Sequence, residues 1–126
     1  MAKQVQKEKG QVLLPKDVRA MGAYIANLLE VSILYNDPAF VYDLVAVLAW
    51  RANTERGRMS SRLKTSSAFR FVEEIDAAIV RWESSKRKLS VRMRISIYSS
   101  LFDSACERAF QFMKRGELVG LSESTL

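Results

Sequence analysis

Residues 91–98 read VRMRISIY, with apolar and polar side chains alternating almost without a break. Their assignment decides the fold. Alternation of this kind is the period of a half-buried β-strand, whereas a helix repeats every three to four residues. Reading on from this stretch, Ile95, Tyr98, Phe102, Ala105, Ala109 and Phe112 recur at three- and four-residue steps as far as Gly116, a suitable C-terminal cap. A strand also needs a partner, and no second alternating stretch is available to supply one. The segment is therefore expected to be helical, and the chain all-α.

Upstream, the pattern stays helical. Residues 67–84 place Ala68, Val72, Ile75, Ile79 and Trp82 on one stripe, with Arg70, Glu73, Glu74, Asp76 and Arg81 mostly off it. Ser66 or Ser67 is the expected cap. Residues 38–54 are apolar nearly all round, through Val41, Leu44, Val45, Leu48 and Trp50, as befits a central helix. Asp37 can cap that helix, with Pro38 at its first position, and Gly57 is the expected break after it. A first helix opens at Pro15 and carries Val18, Met21, Ile25, Leu28, Leu29 and Ser32 until YNDPAF stops it. The expected organisation is a flexible arm over residues 1–14, a single four-helix bundle over 15–116 and a short tail over 117–126. In an up-and-down bundle the link between the second and third helices lies opposite the link between the third and fourth.

The chain of 126 residues suits one domain with a real core. A hydrophobic content of 48% excludes a disordered chain. No apolar run reaches the roughly 20 residues of a membrane span. The longest, AFVYDLVAVLAW (39–50), is broken by Asp43, and the N-terminus has no secretory apolar region. A soluble, cytoplasmic protein without a membrane partner is expected. Histidine is absent, which removes the commonest general acid–base and metal ligand together. The single cysteine, Cys106, lies between apolar neighbours at helical spacing and reads as a small core thiol. No phosphate-loop, dinucleotide or nucleophile-elbow motif is present. The sequence points away from an enzyme and implies no cofactor and no metal.

The net charge of +6 is unevenly spread. Residues 1–50 hold five basic and five acidic side chains, residues 51–94 twelve against five, and residues 95–126 three against four. The excess lies in the middle third, on two links. The first, RANTERGRMSSRLKTSS (51–67), carries Arg51, Arg56, Arg58, Arg62 and Lys64; the second, within KRKLSVRMR (86–94), carries Lys86, Arg87, Lys88, Arg92 and Arg94. Arg70 and Arg81 on the third helix could join them into a stripe. Such a stripe displaces counterions from phosphates and gives affinity without sequence information. Thr54, Ser60, Ser61, Thr65, Ser66 and Ser67 add possible donors to phosphate oxygens. The bland alternative is a solvated face that keeps a helical protein in solution; segregation of the charge favours a nucleic-acid backbone, RNA or DNA, as partner. Base reading is disfavoured. A helix-turn-helix over residues 56–75 would turn Glu73, Glu74 and the following Asp76 toward phosphates, and Phe69 is the only candidate for stacking on a base.

YDLVAVLAWRANTERGR (42–58) and FRFVEEIDAAIVRW (69–82), about a quarter of the chain, resemble segments of the helical small subunits of multisubunit CRISPR effector complexes. The resemblance implies a non-catalytic protein that stacks along larger subunits, with its basic face on the guide RNA and target strand. The residues matching that role are Arg51, Arg56, Arg58, Arg62 and Lys64, supported by Lys86 to Arg94. A helical coat protein of a filamentous virus, wrapping double-stranded DNA within a virion, is the alternative, since it too needs a helical body, a basic stripe and an arm. A protein–protein adaptor is the third reading. The expected partners are nucleic acid, other subunits of the assembly and, in some readings, further copies of the chain.

Overall fold

The computed structural model describes residues 16–53 and 57–117. The expected N-terminal arm, Pro15, Arg56 and the tail beyond Glu117 lie outside the described residues. Five α-helices and one 3₁₀ turn make up the described chain, with no strand among them: α1 (Val18–Glu30), the 3₁₀ turn Ile33–Asn36, α2 (Pro38–Ala52), the single-turn α3 (Ser61–Lys64), α4 (Ser67–Ser85) and α5 (Val91–Lys114).

The stretch that decides the fold is helical. Ser90 caps α5 by accepting the Met93 N–H at 3.1 Å. The alternation at residues 91–98 arises because the first turn of α5 projects from the bundle, leaving Val91, Arg92 and Met93 all exposed. Burial begins in earnest at Ile97 and Tyr98 and continues through Leu101, Ala105, Ala109 and Phe112. Gly116 ends the helix at φ +77°. The Glu117 N–H returns to the Phe112 carbonyl at 2.9 Å and the Gly116 N–H to that of Met113 at 3.0 Å, the paired bonds of a Schellman cap.

The other boundaries follow from short polar side chains at the helix starts. The first helix, expected to open at Pro15, starts at Val18, where Asp17 caps it by accepting the Ala20 N–H at 2.7 Å. The helix stops at Glu30, and Ser32 leaves the expected stripe to cap the 3₁₀ turn. Asp37 caps α2 by accepting the Ala39 N–H at 3.0 Å, with Pro38 at the first position as expected. Ser66 caps α4. The helix α2 ends at Ala52, ahead of Gly57; a Cβ added at Gly57 would meet nothing, so the chain's change of direction does not depend on that glycine.

The core is one cluster in which α2 is central, packed against both α4 and α5. Phe40, Val41, Leu44, Val45, Val47 and Leu48 are all buried, so the nearly all-round apolarity of α2 has its explanation in its two neighbours. Phe40 meets Phe71 edge to face at 5.9 Å between ring centroids. On α4 the expected stripe of Ala68, Val72, Ile75, Ile79 and Trp82 is buried, joined by Ala78.

The order of helices is not up and down. The first turn of α2 lies beside the start of α4, through Phe40 and Phe71, and its last turn reaches Asp76, through Arg51. The two helices therefore run in the same general sense. Parallel neighbours need a return connection, and residues 57–66 run back along α2 to provide it. Trp50 Nε1 donates to the Gly57 carbonyl near the end of α2, and farther along Arg62 pairs with Asp43 near its start. Met59 is buried and Leu63 packs on the core, which fastens this link down. The first basic link is thus a strap along the bundle, while the second is a tight turn at one pole.

Candidate nucleic-acid interface

Eleven of the twelve basic residues singled out in the sequence are described, and they separate into distinct environments. Three are held by carboxylates. Arg51 lies 2.5 Å from Asp76, with its guanidinium near the rings of Trp50 and Tyr98, and Tyr98 donates to the same carboxylate. Arg62 forks onto both oxygens of Asp43, at 3.0 and 3.4 Å, which pushes its pKa upward and ties α3 to α2. Arg94 lies 2.5 Å from Glu83. These three arginines do structural work: each joins two segments of the fold.

Arg58, Lys64, Arg70, Arg81, Lys86, Arg87, Lys88 and Arg92 are exposed, and none forms an ion pair among the described residues. They do not make one stripe. Arg70 and Arg81 lie eleven residues apart on α4, which brings them to the same face about 16 Å from each other, but exposed Glu73 and Glu74 stand between them. Arg58 and Lys64 sit on the strap beside α2. Two of the hydroxyls expected to serve phosphate donate within that strap instead: Thr65 to the Arg62 carbonyl at 3.0 Å and Ser66 to that of Leu63 at 2.6 Å.

Positive charge does converge at one pole. Lys86, Arg87 and Lys88 follow the end of α4, and Arg92 projects from the first turn of α5. Lys16, distant in sequence, lines the same groove of about 540 Å³ as Lys86, Arg87 and Lys88, over Trp82, Leu89 and Met93. Arg19 borders an adjoining groove with Met93 and Ser96. Lys16 and Arg19 belong to the electrically balanced first third of the chain; only the meeting of the start of α1 with the α4–α5 turn brings them here, and no local pattern announces it. Asp17 shares the groove, with its carboxylate committed to the cap of α1. α1 and α5 begin at this pole while α4 ends there, so the helix dipole ends offset one another and the positive field rests on the side-chain charges.

The turn that displays these cations is tightly held. Glu83 accepts the Leu89 N–H at 2.8 Å through Oε2 while Oε1 takes Arg94, and the Leu89 side chain is buried. The Lys86 N–H closes the end of α4 on the Trp82 carbonyl at 2.9 Å. Three consecutive cations are thereby carried on a backbone fixed at both ends, so little loop entropy is lost when they meet an anion. Phe69 packs partly buried against the core and Trp82 is buried beneath the groove, which leaves the groove, among the described residues, with charge and no exposed ring.

Among the described residues no group of three or more potential metal ligands comes together. Cys106 is partly buried against the core, and burial together with the charge of Asp103 pushes its thiol pKa up, the direction that weakens a nucleophile. No described helix is long and apolar enough to cross a membrane. Comparison of the chain with protein-family models, with curated proteins and with solved structures gives no match.

Proposed function

We propose that the protein is a non-catalytic subunit that binds nucleic-acid backbone, without reading sequence, inside a larger nucleoprotein assembly. The observation that carries this reading is the gathering of Lys16, Arg19, Lys86, Arg87, Lys88 and Arg92 at one pole, around a turn pinned by Glu83. A pinned cluster of cations with no ion pair among the described residues suits phosphates, and a groove whose one described aromatic, Trp82, is buried favours the backbone over bases. The cluster is compact, so the segment it grips is short: a few consecutive phosphates. In an effector complex of the kind the resemblance implies, that pole rests on the guide RNA or target strand while other surfaces hold neighbouring subunits.

The test is a titration of the full chain against fluorescent double-stranded DNA, single-stranded RNA and an RNA–DNA hybrid at several salt concentrations. Five phosphate contacts give a slope of log K on log salt of about −4.5 for a duplex and about −3.5 for a single strand. Replacing Lys86, Arg87 and Lys88 together by alanine should flatten that slope by about three contacts. The matching replacement of Arg58 and Lys64 on the strap should change it less. Equal loss from both variants would spread the interface over the whole molecule, as a coat protein wrapping its genome requires. Absence of binding at low salt would leave the adaptor reading.

A further inference from the structure

At the pole opposite the basic cluster, the chain turns from α1 into α2 through Val31, Ser32 and the 3₁₀ turn, and this corner is apolar on the outside. Ile33 is 88% exposed and Val31 67%. The exposure is fixed by the fold. Tyr35, the buried residue of the turn, donates to the Ser104 carbonyl at 3.0 Å, and Arg108 bonds both Asn36 and the Tyr35 carbonyl. With Tyr35 locked inward, Ile33 and Leu34 are held outward. Polar residues at 31, 33 and 34 would serve this turn equally well, so the fold does not account for the aliphatic side chains found there. Contiguous exposed apolar surface of this kind marks an interaction site.

Between the turn and α4 lies a groove of about 400 Å³, floored by Leu28, Phe71 and Ile75. Arg70 and Glu74 stand on its edge, one helical turn apart, and neither forms an ion pair among the described residues. That rim carries one charge of each sign. A partner of single sign gains one attraction at the cost of one repulsion. A second copy related by a two-fold axis sets Arg70 of each chain against Glu74 of the other and satisfies both, the self-complementarity that a two-fold interface demands. We infer that this corner is a two-fold self-association surface, with Ile33 and Leu34 of each chain packed toward the groove of its partner. The pairing is independent of nucleic-acid binding and leaves the two basic poles at opposite ends of the dimer.

Sedimentation equilibrium of the full chain without nucleic acid, from about 5 to 500 µM, tests it, a range that reaches the weak dimers formed when less than the roughly 800 Å² per partner of a standard interface is buried. The expected result is a mass rising toward twice that of the monomer and no further. Ile33→Glu should hold the chain monomeric throughout with an unchanged far-ultraviolet circular dichroism spectrum. Arg70→Glu and Glu74→Arg should each weaken dimerisation about tenfold by facing like charges, and the two together should restore it. A wild-type chain monomeric at every concentration overturns the inference. So does growth beyond the dimer, an Ile33→Glu variant that still dimerises, or a double swap that fails to restore pairing.

Discussion

Glu83 Oε1 lies 2.5 Å from Arg94 Nη2, joining the last turn of α4 to the first turn of α5 across the basic link. The other carboxylate oxygen holds the Leu89 N–H, so one side chain fixes both the backbone of the link and the helix after it. Charge-assisted hydrogen bonds to a largely buried carboxylate contribute about 1.5–3 kcal/mol each. Glu83→Ala should therefore lower unfolding stability in urea by about 2–3 kcal/mol, and more than Arg94→Ala does. A double-mutant cycle of the two should show a coupling of about 1–2 kcal/mol. Additive costs would mean that Glu83 acts through the Leu89 N–H alone and that its contact with Arg94 contributes nothing.

The arginines divided by the structure should divide in stability. Arg51 is half-buried, paired with Asp76 and flanked by Trp50 and Tyr98. Its removal takes from the Asp76 carboxylate the charged partner that it holds beside the Tyr98 hydroxyl and empties a packed position, so Arg51→Ala should cost about 2–3 kcal/mol. Lys88→Ala, on an exposed side chain, should stay within about 0.5 kcal/mol of wild type while weakening phosphate binding. Denaturant titration of the two variants beside a binding titration separates the roles. Equal stability losses would erase the distinction between arginines that build the fold and cations that face outward.

Helix periods and caps were legible in the sequence because they depend on neighbours in the chain. The stripe of α4, the Asp37–Pro38 start of α2 and the continuation of VRMRISIY into a helix rest on such local chemistry. The extra turn at Ser61–Lys64 and the cap at Asp17 were missed for a local reason too: single polar residues compete for the same role, and Pro15 offered a plausible earlier start. What no local pattern could give is the direction of α4. It depends on whether residues 57–66 cross one end of the bundle or run back along α2, and that choice rests on Met59, Leu63 and the Arg62–Asp43 pair finding their places against a helix already formed. The candidate interface suffers most from this. Arg62 and Arg94 look like their free neighbours until Asp43 and Glu83 arrive beside them, and Lys16 joins the cluster only in three dimensions.

Tyr35 gives a prediction with a definite pH window. Burial, with the charge of Glu30 adding to it, raises its phenol pKa from 10.0 to about 12. The folded state thus holds the neutral phenol more strongly than the unfolded chain does, and a folded state that binds more protons loses stability as pH rises. The contribution is complete below pH 10, declines as the unfolded chain ionises, and is gone once pH passes about 12. At neutral pH, Tyr35→Phe should cost about 1 kcal/mol for the bond to the Ser104 carbonyl. Between pH 10 and about 12 that deficit should shrink and then reverse. Urea titrations of both proteins across this range measure the difference directly; a constant gap would show that Tyr35 ionises alike in both states.

Ser90 lies where fold and proposed function make opposite demands. Its hydroxyl caps α5, and it is exposed beside Lys86, Arg87 and Lys88 on the basic groove. Ser90→Ala removes the cap without changing charge, so stability should fall by about 1 kcal/mol while the salt dependence of nucleic-acid binding keeps its slope. Ser90→Asp keeps an oxygen acceptor for the Met93 N–H and places a negative charge at a helix N-terminus, where the dipole favours it. Its stability should equal or exceed that of wild type. The same carboxylate competes with phosphate for the neighbouring cations, so affinity at low salt should drop about fivefold to tenfold, roughly 1–1.4 kcal/mol. A protein that is more stable and binds less tightly separates the pole's electrostatics from its folding. If Ser90→Asp bound nucleic acid as well as wild type, the phosphates would have to be sought elsewhere on the molecule, with Arg58 and Lys64 of the strap the next to be replaced.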